Sequence, residues 1–279
     1  MIIKDLFLFA SKSVPVDKNI NSLKSKCEKK VNELLTYMAV NKLAANHDKT
    51  SIVVMKHGRE DTELSFQIGE HQIDESNKEK LLGMIVSNKL DWSDHIKKLE
   101  KELRFRLFTL RRMEQVVPKS LMKKIADGIF CSILRYGLGI FCPVRIKETE
   151  PNSTSIEGIK VIFNDLLRLL CSERRINHTS IESMLEKLNW LSVNQLAAEV
   201  RLMEVWKALN VEEYCLKDLF EEVENERNTR SSGTRKLKVN FKSNTRESSF
   251  HYQSARLLNS APLCRKSIIH AQKQFTRLR

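Results

Sequence analysis

Residues 79–110, EKLLGMIVSNKLDWSDHIKKLEKELRFRLFTL, change their hydrophobic period partway along, and this limits what the chain can become. Leu81 to Val86 is a short apolar run that reads as a strand and holds one glycine, Gly83. Asn88-Lys89 forms a polar break. Past Trp92, Ser93 is a natural helix N-cap, and Asp94 places a negative charge in the first turn, where it suits the helix dipole. Ile96, Leu99, Leu103, Leu107 and Leu110 then recur at spacings of three and four, the signature of one buried helix face. A strand-built region ends here and a helix-built region begins.

The flanks extend that division into an α+β, mainly α fold: a small antiparallel sheet at the N-terminus followed by a helical bundle. Residues 1–13 read as an apolar strand. Leu23 to Leu43 carries helical periodicity through Leu23, Cys27, Val31, Leu34, Leu35 and Met38. Ser51 to Met55 is a β-branched strand, and Leu64 to Ile68 with Gly69-Glu70 and His71 onward reads as a hairpin. The strand at Leu81 is expected to complete that sheet. After Ser93 only helices are expected: one from Pro118 to about Phe141, apolar on nearly all sides; an amphipathic one over Ile156 to Cys171; two opened by capping boxes at Thr179-x-x-Glu182 and Ser192-x-x-Gln195; and a short acidic one over Leu216 to Glu226. The expected organisation is 1–92, 93–226 and a basic segment, 227–279.

Charge sets the third segment apart. The chain carries 48 Lys and Arg against 35 Asp and Glu, a net +13. Residues 227–279 hold thirteen of those cations against Glu247 alone, so the remainder is close to neutral. Basic excess gathered in one block suggests a polyanionic partner, nucleic acid before membrane. The six Cys form no CxxC pair, and several lie in apolar helical text where Cys acts as a small hydrophobe. No signal peptide is evident, so an intracellular location, nucleus or cytoplasm, is expected. The apolar run Ile125 to Val144 is interrupted by Asp127 and Arg135, which favours a buried core helix over a membrane span.

Several stretches carry a family resemblance. Leu81-Leu82-Gly83, a polar loop and Trp92-Ser93-Asp94-His95-Ile96 before a long basic helix resemble the palm-to-thumb junction in reverse transcriptases of non-LTR (LINE, jockey-like) retrotransposons. Asn41-Lys42-Leu43-Ala44-Ala45-Asn46-His47-Asp48-Lys49-Thr50 resembles that family's NKLxLNxxKT segment. Thr229-Arg230, Ser249-Phe250 and Ala255-Arg256-Leu257-Leu258-Asn259-Ser260-Ala261-Pro262 resemble its C-terminal text, with Leu258 in place of a Trp and Ala261 in place of the Leu before Pro262. The resemblance covers nearly the whole chain. It implies a remnant of a palm over 1–92, a thumb from 93, a phosphate or leaving-group contact at Lys49, and a primer-gripping hairpin at Leu82 and Gly83. The partner it implies is an RNA or DNA duplex.

The same resemblance puts catalysis in doubt. The family's catalytic turn reads aromatic-Ala-Asp-Asp, whereas here Lys4 stands in the place of the first aspartate and only Asp5 remains. Two-metal phosphoryl transfer needs several carboxylates around the ions. The expectation is therefore a truncated, non-catalytic fragment with no cofactor, magnesium belonging only to an intact parent enzyme. The seven His show no metal-ligand spacing, and no Gly-rich phosphate loop or nucleophile motif appears. Candidate nucleic-acid contacts are Lys97, Lys98, Lys101, Arg104, Arg111 and Arg112 on the thumb helix, with Arg235, Lys236 and Lys238 in the basic segment. Glu100 with Arg104, and Glu102 with Arg106, are expected to neutralise part of the helix, and Phe105 and Phe108 are expected in the core. The alternative function is a non-enzymatic helical protein-interaction module, or a retroelement remnant under no selection.

Overall fold

A computed structural model describes residues 2–3, 17, 19–44, 46, 50–55, 64–144, 156–222, 237–239 and 249–260. The fold is α+β and mainly α. Its contacts divide the chain into two units, Met1–His95 and Ile96–Arg279.

Among the described residues, the first unit holds six short strands and one long helix. β1 (Ile2–Ile3) pairs antiparallel with β2 (Ile52–Val53). Helix α1 (Ile20–Val40) is capped by Asn19, whose side chain accepts from the Asn21 and Ser22 amides. Cys27 and Val31 of α1 pack with Ile52, Val54, Leu64, Phe66 and Ile68 to form this unit's core, flanked by Leu23, Leu34, Leu35 and Met38. β3 (Ser65–Ile68) and β4 (His71–Asp74) form the hairpin expected around Gly69-Glu70, with Gly69 at φ +60°. On β3 the Gln67 amide donates to Glu28 Oε1 (2.8 Å), and in the turn the Gly69 amide donates to Asn32 Oδ1 (3.0 Å). Polar side chains of α1 thus satisfy donors that an open strand edge would offer to another chain.

The segment after β4 departs from expectation. Leu81 to Val86 is not one strand. β5 (Lys78–Leu81) and β6 (Met84–Ser87) form a second hairpin, in register Leu81 opposite Met84, and it is not part of the β3–β4 pair. The turn between them is Leu82-Gly83, both with positive φ (47° and 86°), as a two-residue hairpin turn of type I′ requires. A turn containing a bulky apolar residue is invisible to a search for Asn-Gly or Asp-Gly.

The second unit is helical. α2 (Ser93–Met113) carries the unit's first buried stripe: Ile96, Leu99, Leu103, Leu107 and Leu110 are all buried. The helix expected from Pro118 to Phe141 is interrupted. α3 (Lys119–Ala126) passes through one π-helical turn (Asp127–Cys131) into α4 (Ser132–Arg135) and stops at Tyr136. Gly137, at φ 70°, turns the chain into α5 (Leu138–Phe141). A left-handed residue between two helical turns ends the hydrogen-bond ladder whatever the apolar content around it.

α6 (Glu157–Cys171) buries Ile159, Ile162, Phe163, Leu166 and Leu167. A 3-10 turn (Arg175–Asn177) leads to α7 (Ile181–Leu188). The N-cap of α7 is Ser180, whose hydroxyl accepts from the Ser183 amide; Thr179 instead donates to Glu173, so the expected Thr179 box does not form. α8 (Val193–Asn210) opens with the expected Ser192/Gln195 capping box and runs through the unit's interior, burying eight residues including Leu202, Val205 and Arg201. It approaches α5 closely at Gly139, where an added Cβ would lie 2.9 Å from Val200 Cγ1. Of the acidic helix expected over Leu216 to Glu226, residues 216–222 are described and form a 3-10 turn, Lys217–Leu219, after which Glu222 bridges to Leu237; residues 223–226 lie outside the described residues. α9 (Phe250–Asn259) packs on α8, and the Asn259 side-chain amide bonds both the amide and the carbonyl of Leu237 (2.9 and 2.8 Å). Among the described residues, no helix is long and apolar enough to cross a membrane. The apolar run from Ile125 carries an Asp127–Arg135 ion pair at 3.0 Å on its half-exposed side.

Candidate nucleic-acid interface

α2 displays the cations that the sequence singles out. Lys97, Lys101, Arg104, Arg111 and Arg112 are exposed and Lys98 is half-buried. Lys97, Lys101 and Arg112, four and then eleven residues apart, fall on the side opposite the buried leucines, which forms the outward crest of the helix. The acids of α2 do not cancel them as expected. Glu102 pairs with Lys98 (3.7 Å), not with Arg106. Glu100 turns inward, with its carboxylate against Gly158 in the first turn of α6, where the positive end of the helix dipole favours it. Among the described residues, no ion pair engages Lys97, Lys101, Arg104, Arg111 or Arg112.

Phe105 and Phe108 overturn the sequence expectation. They do not enter the core: they are 67% and 55% exposed and stand on the same crest as Lys101 and Arg112. The Arg112 guanidinium lies 5.7 Å from the Phe108 ring centre, a cation–π contact on one face of that ring. Helical spacing carried the correct answer: neither phenylalanine falls in phase with Leu99, Leu103, Leu107 and Leu110.

Beside the crest, Arg111 of α2 and Glu114 just past its end share a cleft of about 420 Å³ with Asp165, Arg168, Arg174 and Arg175 near the C-terminal end of α6. Asp165, Arg168 and Arg175 spend their charges on one another. Arg175 forks onto both oxygens of Asp165 (2.8 and 2.9 Å), and Arg168 adds a third bond (3.3 Å). Glu173 accepts from Asn177 and Thr179, and those bonds hold its carboxyl below the usual range.

The other candidates lie elsewhere. Leu82 and Gly83 form the hairpin turn of the first unit; Leu82 is 74% exposed and holds a left-handed backbone, which costs a bulky residue roughly 1–2 kcal/mol. Lys238, in the second unit, pairs with Glu221 at 3.2 Å. Asp5, Lys49, Arg235 and Lys236 lie outside the described residues. His95 is buried and meets Trp92 edge-on, its ring centre 6.5 Å away. Among the described residues, no three acidic, His or Cys side chains come together to hold a metal ion. Comparison with protein families, curated proteins and solved structures gave no match.

Proposed function

We propose that the chain is a non-catalytic relative of the non-LTR retrotransposon reverse transcriptases that binds nucleic acid through the outward face of α2, with the basic C-terminal segment adding electrostatic attraction. The observation that carries this reading is the unpaired cationic crest of α2: Lys97, Lys101 and Arg112, flanked by Arg104 and Arg111. A row of cations on a rigid helix follows a phosphate backbone without reading bases. Glu100 supports the reading by its placement, since its carboxylate lies against Gly158 and forms no ion pair with Arg104. The catalytic part rests on sequence: Lys4 beside Asp5 puts a positive charge where paired carboxylates would be needed.

Two assays on the full chain test it together. A primed RNA template with magnesium and nucleotides should yield no extension, and filter binding should retain a duplex at low salt. Nucleotide incorporation lost on Asp5→Asn would overturn the non-catalytic part. Absence of any retained duplex would overturn the binding part.

A further inference from the structure

Phe105 and Phe108 occupy the most outward positions of an amphipathic helix, where water contact gives an aromatic ring no favourable term. Both sit among Lys101, Arg104 and Arg112, and their Cβ atoms, three residues apart on a helix, are about 5–6 Å from each other. A duplex cannot use such a pair. Its base faces are stacked inside, and only phosphates, sugars and base edges reach a docking protein. Rings interleaved with cations suit the opposite case, an unpaired strand whose bases stack on aromatics while its phosphates meet Lys and Arg.

We propose that the crest of α2 is a stacking platform for the unpaired nucleotides of a single polynucleotide strand, with Phe105 and Phe108 each taking a base and Lys101, Arg104 and Arg112 taking the intervening phosphates. This rests on the nucleic-acid reading above and narrows its ligand from a duplex backbone to an unpaired tract. The crest reads neither sequence nor sugar. Phenylalanine has no polar atom to offer a base edge. The Thr109 hydroxyl donates to the Phe105 carbonyl (3.1 Å), and the Glu102 carboxylate faces Lys98. Arg112 covers one face of Phe108, and a base stacks on the other.

Fluorescence anisotropy on the full chain, with a labelled 20-nucleotide dT strand, a U strand of the same length and a blunt duplex, decides it. The two strands are expected to bind equally. The exposed pair Phe105→Ala/Phe108→Ala should weaken strand binding at least about tenfold, as expected when two bases lose their aromatic platforms, and change duplex binding less than about twofold. Phe105→Leu/Phe108→Leu keeps apolar area but not the rings, and should be as weak as the alanine pair. Strand affinity unmoved by the alanine pair, or restored by the leucine pair, overturns the platform. Duplex binding without a ring-sensitive strand sinks this inference alone, whereas a chain that binds neither ligand sinks the nucleic-acid reading as well.

Discussion

The Arg201 guanidinium donates from Nη2 to the Cys142 carbonyl at 2.9 Å in the interior of the second unit, where Arg201 is only 1% exposed. Its Nε and Nη1 have no hydrogen-bond partner, and its guanidinium carbon lies 5.6 Å from the Phe250 ring centre. Arg201 therefore ties the end of α5 to α8 and α9. Burial pushes its guanidinium down to about 10, a sign that the charge is held there against its preference for water.

Truncation and replacement of this side chain should separate. Arg201→Ala leaves a cavity and an orphaned carbonyl, and should lower unfolding free energy by about 2–4 kcal/mol in urea titrations. Arg201→Met keeps the volume and removes an incompletely satisfied buried charge, so it should lie within about 1.5 kcal/mol of the parent. Equal losses in both variants would show that the charge itself holds the three helices.

Thiol chemistry should sort the cysteines by burial. Cys131 and Cys142 are fully buried, and burial pushes their thiols up to about 12 and about 11, while Cys215 is exposed. With a thiol reagent at pH 8, Cys215 should react at once, and Cys131 and Cys142 only as the fold opens. The linkage sign follows. These thiols ionise more easily unfolded, at the ordinary 9.0, so their stabilisation is complete below pH 9 and fades as pH rises toward 11 and 12. Between pH 8 and pH 10 the two together should cost about 2.7 kcal/mol of stability. Arg201 has the opposite sign, its lowered value adding stability only from about pH 10 upward.

The β5–β6 turn should accept improvement. Leu82→Asn places the preferred residue at a left-handed position before Gly83, and should stabilise the first unit by about 1 kcal/mol in thermal or urea unfolding. Gly83→Ala, at φ 86°, should destabilise it by about 1 kcal/mol. If Leu82→Asn stabilises the fold yet weakens nucleic-acid binding, the strained leucine is kept for contact. If it stabilises and binding is unchanged, the hairpin takes no part.

The sequence was legible where a residue's pattern and its burial have the same cause. Ile96, Leu99, Leu103, Leu107 and Leu110 are buried because helical period alone brings them onto one face, and Ser192 with Gln195 caps α8 through two local bonds. It was illegible where backbone sign or long-range packing decides. Gly137 breaks an apolar run that composition makes look continuous, and Leu82 turns where no turn residue advertises itself. Ser180 rather than Thr179 caps α7, while the Thr179 hydroxyl donates to Glu173, a partner outside the helix. On α2, the cations were legible by type. Phe105 and Phe108 were misplaced because hydrophobicity was weighed ahead of phase, and Glu100 because its destination, Gly158, lies in another helix.

The most direct test of α2 as a phosphate-binding face is the salt dependence of duplex affinity, measured for the full chain and for Lys97→Gln/Lys101→Gln/Arg104→Gln/Arg112→Gln. With about six phosphates contacted, log affinity against log salt should fall with a slope near −5, and the variant should lose about 0.9 of slope for each contact removed. A flat parent response, or a variant whose slope equals the parent's, would contradict the account.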